Sequence, residues 1–94
     1  MASRVFLGTG AQDVLRTLHP KTKKAIRAAL RVLKENWPQA PGLDLIRMRA
    51  DPTSPPVFRL RVGDWRIVLR GRGADLEAIS VFHREEGYGW MERE

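Results

Sequence analysis

The stretch that decides the fold reads VFRLRVGDWRIV and covers residues 57–68. Its first half alternates apolar and basic residues, and a period of two is the pattern of a β-strand with one buried face. The alternation places three apolar side chains on one face and Arg59 and Arg61 on the other. Gly63-Asp64 is typical of a tight turn, so the second half predicts a strand that returns beside the first.

This hairpin is the first part of a predicted three-stranded antiparallel meander over residues 57–83. The second strand is expected from Trp65 to Arg70, followed by a turn at Gly71–Gly73 and a third strand from Leu76 to His83. The meander predicts a sheet with Phe58 and its apolar neighbours on the buried side.

The part of the chain before the meander predicts two helices. Apolar residues recur at helical spacing in Gly10–Leu18 and again in Pro20–Trp37. Proline disfavours a helical residue before it but suits the first turn of a helix, so Pro20 separates the two helices. A short strand is predicted at Arg4–Leu7 and a weak strand at Leu45–Met48 within a proline-bearing loop.

These elements predict an α+β fold class in one domain over residues 1–94. Two N-terminal helices are expected to pack on one face of a small antiparallel, curled β-sheet, which leaves the other face open. A chain of 94 residues has room for one core, since domains most often run to about 100–150 residues. Residues 84–94 are expected to form a polar tail.

The composition limits the classes of site. The chain has no cysteine, which excludes disulfides and thiolate metal sites, and nothing near His19 or His83 has metal-ligand spacing. No apolar run is long enough for a membrane span or resembles a signal peptide. We expect a cytoplasmic protein with no membrane association, no metal and no small-molecule cofactor.

The charge points to an anionic partner. The formal net charge is +6, and fourteen Lys or Arg stand against four acids between Arg16 and Arg72. Such a density is typical of nucleic-acid binding, although a solvated basic surface is the alternative. Lys23, Lys24 and Arg27 on the second predicted helix are candidates for RNA phosphate binding.

Four arginines of the predicted sheet are expected to converge. Arg59 and Arg61 point off the apolar face, Arg66 lies across the hairpin, and Arg84 follows the last strand. Like charges on adjacent strands cost stability, and the planar guanidinium matches phosphate oxygens, so their clustering favours a phosphate site. The alternative is that these arginines cover aromatic rings or pair with Asp64 and Asp75.

Two segments carry a resemblance to a known family. Residues 58–68 resemble the (Y/F)RLRVGDYRVIY segment of toxins of the RelE/ParE superfamily, and residues 83–88, His-Arg-Glu-Glu-Gly-Tyr, resemble the ending HR-x-x-x-Y of RelE-like members. The resemblance spans most of the chain. Leu69 replaces the tyrosine that often closes the first segment, and Glu85 and Glu86 place negative charge beside Arg84.

The resemblance implies a function and a site. RelE-like members cut mRNA in the ribosomal A site without a metal, using the RNA 2′-hydroxyl as nucleophile. Matched positions assign Arg59 and Arg61 to RNA binding and Arg66 and Arg84 to the scissile phosphate. His83 or Tyr88 would then transfer protons, because histidine titrates near pH ~6.5 and tyrosine near ~10 unless cations lower its pKa. Alternatively Tyr88 stacks on a base, or Trp90 takes its place.

The resemblance also implies partners and rival functions. A toxin of this superfamily is held in check by a cognate antitoxin protein, expected to be acidic and to cover the basic surface, and its targets would be the ribosome and mRNA. One rival is a ParE-like inhibitor of DNA gyrase, which is a binding protein. The other is a catalytically degenerate member that binds RNA or a partner only.

Overall fold

The computed structural model describes residues 4–48 and 53–86, and its elements follow the sequence patterns closely. In chain order they are β1 (Val5–Leu7), α1 (Thr9–Thr17), α2 (Pro20–Asn36), β2 (Asp44–Arg47), β3 (Val57–Val62), β4 (Trp65–Arg72), β5 (Asp75–His83) and a short 3₁₀ helix (Arg84–Glu86). The predicted meander strands are confirmed, and β4 and β5 extend slightly further toward each other than predicted. The turn between them contains Gly73, whose φ of 61° favours glycine.

Helix α2 begins at the predicted Pro20, and α1 begins one residue before the predicted Gly10. His19 caps α2, because its Nδ1 accepts a hydrogen bond from the Lys21 N–H at 3.1 Å, and Pro20 occupies the first turn. The apolar positions of α2, namely Ile26, Ala29, Leu30 and Leu33, are buried. With Ala11 and Leu15 of α1 they form one layer of the core.

The sheet has five strands in the order β1-β5-β4-β3-β2. Strands β2 to β5 pair antiparallel, whereas β1 pairs with β5 in parallel, with Val5 opposite Leu76. The predicted fold class is therefore wrong in one respect, because the sheet is mixed rather than fully antiparallel. The strand that precedes the helices matches the short strand predicted at Arg4–Leu7.

The physical reason lies in the packing of α1. This helix follows β1 after one residue and packs against β5, so β1 is held at the edge of β5. Gly8 also holds β1 beside β5, because the Gly8 N–H donates to the Ala78 carbonyl at 2.8 Å. A three-residue strand carries no sequence signal for this partner or for its direction.

The two faces of the sheet differ, as the alternation in β3 predicts. Leu60, Ile67 and Val81 face the helices and are buried in the core, with Phe58 and Val62 partly buried against it. The other face, here called the open face, carries the alternate residues of each strand. Arg59 and Arg61 lie there, which confirms the predicted register of β3.

Within residues 4–48 and 53–86, neither helix combines the length and the apolar character that a membrane crossing requires.

Candidate functional site

Two predicted site arginines meet at the turn between β3 and β4. The Arg84 N–H donates to the Asp64 carbonyl at 2.8 Å, and its guanidinium Nε lies 3.4 Å from the Asp64 carboxylate. The Arg66 guanidinium folds over the same turn and donates from Nη1 to the Gly63 carbonyl at 2.9 Å. Gly63 has a φ of 57°, so this turn needs a residue without a side chain. We call Gly63, Asp64, Arg66 and Arg84 the turn site.

The guanidinium of Arg66 differs from its neighbours in its partners. It donates only to backbone carbonyls, of Gly63 and of Trp65 at 3.1 Å, and forms no ion pair with any described residue. A neutral carbonyl competes less strongly for a guanidinium than a carboxylate does. Arg66 is therefore the arginine of the turn site whose charge is most available to an anion.

Arg59 and Arg61, the predicted RNA-binding pair, share one carboxylate. Arg59 Nη2 lies 3.0 Å from Asp44 Oδ1, and Arg61 Nη1 lies 3.8 Å from Asp44 Oδ2. The Arg59 side chain is 18% exposed and that of Arg61 is 53% exposed. Asp44 was not among the predicted site residues, because the register that brings β2 beside Arg61 has no signal in the sequence.

The sheet arginines thus pair mainly with carboxylates, which is the alternative that the sequence left open. Asp64 is one of the two predicted partners and holds Arg84. Asp75, the other, binds Arg4 rather than an arginine of the predicted site. A phosphate that binds Arg84 must compete with Asp64, whose carboxylate is exposed.

His83 lies on the other side of the sheet from Arg66. It stands opposite Trp65, and the two rings contact edge to face at 5.3 Å. Its Nδ1 accepts a hydrogen bond from the Glu85 N–H at 3.3 Å, so the neutral ring carries its proton on Nε2. The lone pair that would accept a proton is therefore occupied. Neighbours along a strand alternate in side, and it is Phe82 that shares the face of Arg66.

Tyr88, the other predicted catalytic residue, lies outside the described residues, as does Trp90.

The predicted RNA-binding residues of α2 form a separate surface. Lys23, Lys24 and Arg27, with Arg31, line a cavity of about 430 Å³ that is bounded by α2 alone. None of the four forms an ion pair with a residue in the described ranges. The structure therefore does not join these cations to the arginines of the open face, but it leaves their charge uncompensated.

Lys21 is a basic residue near the turn site that the site prediction missed. It lines a cavity of about 310 Å³ together with Gly63, Asp64 and Trp65. The first turn of α2 therefore lies beside the turn between β3 and β4. Only the packing of the helix on the sheet reveals this, since Lys21 is one of several similar lysines in the sequence.

The described ranges hold no group of three or more His, Asp or Glu side chains placed to bind a metal ion.

Comparisons with known proteins show the fold. No protein-family model matches the chain, and no curated protein sequence matches it. Solved structures do, and two of them are complexes of RelE with RelB. One is an archaeal RelE–RelB complex from Pyrococcus horikoshii OT3, with a TM-score of 0.75 and 16% identity over 89% of this chain and 97% of that chain. The other is a RelB–RelE antitoxin–toxin complex from Methanococcus jannaschii, with a TM-score of 0.68 and 19% identity over 90% of this chain and 96% of that chain. The chain therefore shares its fold with a chain of these complexes.

Proposed function

We propose that this protein is the toxin of a toxin–antitoxin pair and that it cleaves mRNA on the ribosome in the cytoplasm. The observation that carries the proposal is the turn site, where the guanidiniums of Arg66 and Arg84 contact one exposed turn and Arg66 has no carboxylate partner among the described residues. The fold supports it, because both similar structures are complexes of RelE with RelB.

The chemistry needs no group beyond the RNA and the side chains. The 2′-oxygen loses its proton and bonds to the adjacent phosphorus, while the bond from phosphorus to the 5′-oxygen breaks and that oxygen gains a proton. Charge builds up on the phosphorane oxygens, and preorganised cations stabilise it. Arg66 and Arg84 take this role, with Tyr88 transferring protons, since His83 lies on the other side of the sheet from Arg66.

The remaining cations hold the RNA. Lys23, Lys24 and Arg27 present uncompensated charge that attracts the phosphate backbone over a distance. Arg59 and Arg61, held side by side by Asp44, position the strand on the open face near the turn site. Phosphate contacts of both kinds orient the RNA without reading its sequence.

An acidic antitoxin is the partner that this charge distribution fits. A segment rich in Asp or Glu that lies along α2 neutralises Lys23, Lys24, Arg27 and Arg31, and electrostatic complementarity of this kind speeds association and excludes other partners. Both similar structures contain RelE together with a second protein, RelB.

Primer extension on ribosome-bound mRNA tests the nuclease. Arg66→Ala and Arg84→Ala are each expected to lower the cleavage rate by about 10²–10³, since each removes a preorganised charge donor. Arg47→Ala removes the same charge from β2 and serves as the matched control, expected to cut like wild type. Tyr88→Phe tests the proton transfer. Wild type that cuts no mRNA but blocks supercoiling by gyrase refutes the proposal in favour of a gyrase inhibitor.

A non-catalytic RNA-binding protein is the second candidate. The carboxylates beside Arg59, Arg61 and Arg84 favour it, because they neutralise three of the four predicted phosphate ligands of the sheet. RNA binding by wild type without cleavage on the ribosome identifies this candidate.

A further inference from the structure

The open face has a second basic site at the far end of β4 from the turn site. A cavity of about 910 Å³ lies there, lined by residues that include Arg4, Phe6, Arg70 and Arg72. Three arginines and one carboxylate, that of Asp75, line it. We call this cavity the distal groove. Neither the predicted site nor the turn site includes any of these residues.

Glu77 holds two of these arginines side by side. One of its oxygens, Oε1, lies 2.8 Å from Arg70 Nη2 and 3.5 Å from Arg72 Nη1, and the Glu77 side chain is only 15% exposed. A guanidinium has five N–H donors, so each arginine keeps donors that Glu77 does not use. Like charges on one strand are costly unless a carboxylate bridges them, and here the bridge orients two guanidiniums toward the groove.

The rest of the groove suits a flat, unsaturated group. The Arg72 guanidinium lies 5.8 Å from the centre of the Phe6 ring, which forms one wall. Pro55 and Pro56 form another, and Pro56 packs so closely on Gly71 that a Cβ there would lie 2.9 Å from the proline ring. Nucleic-acid bases stack on aromatic rings and on guanidinium planes, while their phosphates bind guanidinium forks.

We propose that the distal groove binds a nucleotide of the same RNA strand that crosses the turn site. The inference rests on the proposed function for the identity of the RNA. Residues 66, 68, 70 and 72 share one face of β4, so the strand itself connects the two sites. Arg72 lies six positions after Arg66, which is roughly 20 Å of strand or about six stacked nucleotides.

An acidic peptide is the competing ligand, and the observations favour RNA. The groove has rings on two sides, and its volume of about 910 Å³ falls within the range of small-molecule sites. A carboxylate of a peptide uses only the charge of the arginines, whereas a base can also stack on the plane of the Arg72 guanidinium, which lies over the Phe6 ring.

The test is the dependence of RNA affinity on RNA length, measured by fluorescence anisotropy with labelled single-stranded oligonucleotides. Wild-type affinity is expected to rise steeply once the RNA exceeds about six nucleotides, because the second contact then becomes intramolecular. Arg72→Gln should lose this rise, with roughly tenfold weaker binding of the longest RNA. Arg16→Gln removes the same charge from α1 and should keep the rise.

A second variant tests the stacking. Removing the terminal base of a long RNA, to leave an abasic site, should weaken binding by wild type but not by Phe6→Leu, which keeps an apolar side chain without the ring. A circular dichroism melt that matches wild type shows that Phe6→Leu is folded. Equal sensitivity of both proteins to the abasic site overturns the stacking.

Three outcomes overturn the distal groove. In the first, RNA affinity depends on RNA length in the same way in Arg72→Gln and in wild type. In the second, Arg72→Gln weakens binding of a poly-glutamate peptide and leaves RNA binding unchanged. In the third, wild type binds no RNA. The experiments distinguish failure of the distal-groove proposal from failure of the nuclease proposal. Cleavage without the rise in affinity refutes the groove alone, whereas the rise without cleavage refutes the nuclease alone.

Discussion

The carboxylates around the arginines of the open face determine how much charge each arginine offers to an anion. Asp44 and Asp64 each lie within ion-pair distance of residues assigned to phosphate binding. A carboxylate holds a guanidinium in one orientation, but it also competes with the phosphate. Arg66 escapes this competition, since only backbone carbonyls accept its hydrogen bonds among the described residues.

Asp64→Asn is therefore expected to raise the affinity for RNA several-fold. The substitution releases Arg84 from its ion pair, while the backbone bond from the Arg84 N–H to the carbonyl of residue 64 remains. Asp13→Asn is the matched control, because Asp13 pairs with Arg16 on α1 and carries the same charge. Fluorescence anisotropy at constant salt measures both. An equal gain in the two variants would show that only the net charge matters.

The pair of Glu77 with Arg70 and Arg72 predicts a dependence of stability on pH. The hydrogen bond from Arg70 is the largest cause that lowers the pKa of Glu77, and the backbone N–H of Arg4 likewise lowers the pKa of Asp75. A carboxyl whose pKa is lower in the folded state stabilises the fold above its ordinary pKa, and this contribution is lost as the pH falls through the folded value.

The melting temperature should accordingly fall as the pH is lowered from about 6 to about 3. Glu77→Gln should melt at a lower temperature than wild type at the upper end and lose less on acidification, because one of the titrating groups is gone. Glu35→Gln, at an exposed position on α2, should keep the wild-type profile. Parallel profiles for wild type and Glu77→Gln would contradict the assignment.

Helices and strands follow from the sequence to different degrees. The alternation in residues 57–62 predicts β3, its register and its buried face, because a half-buried strand needs that period. The apolar stripe of α2 and the proline at its first position can likewise be predicted from neighbouring residues alone. The position of β1 is not, since three residues carry no information about a partner seventy residues away.

The candidate site divides in the same way. The alternation places Arg59, Arg61 and Arg66 on one face, and the structure has them there. Their carboxylate partners depend on the register of β2, and the position of His83 depends on counting along β5 past a bulge opposite the step from Val68 to Leu69. The carboxylate partners and the position of His83 both depend on tertiary structure, which composition and residue spacing do not determine.

The loop that precedes β3 packs against β4, and this contact predicts the effect of a substitution on stability. Gly71 donates its N–H to the Pro56 carbonyl at 2.8 Å, and the proline ring fills the space where a Cβ would lie. Gly71→Ala should lower the free energy of unfolding by about 1–3 kcal/mol, as overpacking does. Gly10→Ala, where the nearest atom lies 3.8 Å from the added Cβ, should not destabilise. Urea denaturation compares them, and equal stability of the two variants would refute the close contact.

The positive charge of the molecule is divided between two surfaces of unlike character. The arginines of the open face are mostly paired, whereas Lys23, Lys24, Arg27 and Arg31 on α2 have no carboxylate partner in the described ranges. A paired arginine is held in a fixed orientation but attracts an anion weakly. An unpaired cation attracts an anion strongly, because counterions are released only where charge is uncompensated. In the proposed function, the cations of α2 attract the RNA and the paired arginines of the open face orient it.

This division predicts how RNA binding responds to salt. The logarithm of the binding constant falls linearly with the logarithm of the salt concentration, and each phosphate neutralised on a single strand contributes about 0.7 to the slope. The double variant that carries Lys23→Gln and Arg27→Gln should therefore reduce the magnitude of this slope by roughly 1.4. Arg59→Gln with Arg61→Gln removes the same charge but should reduce the slope less, because Asp44 already neutralises part of that pair. Anisotropy titrations of one RNA over a series of salt concentrations measure both slopes. A larger loss for the sheet pair would mean that the RNA backbone lies mainly on the open face and that the cations of α2 serve another partner.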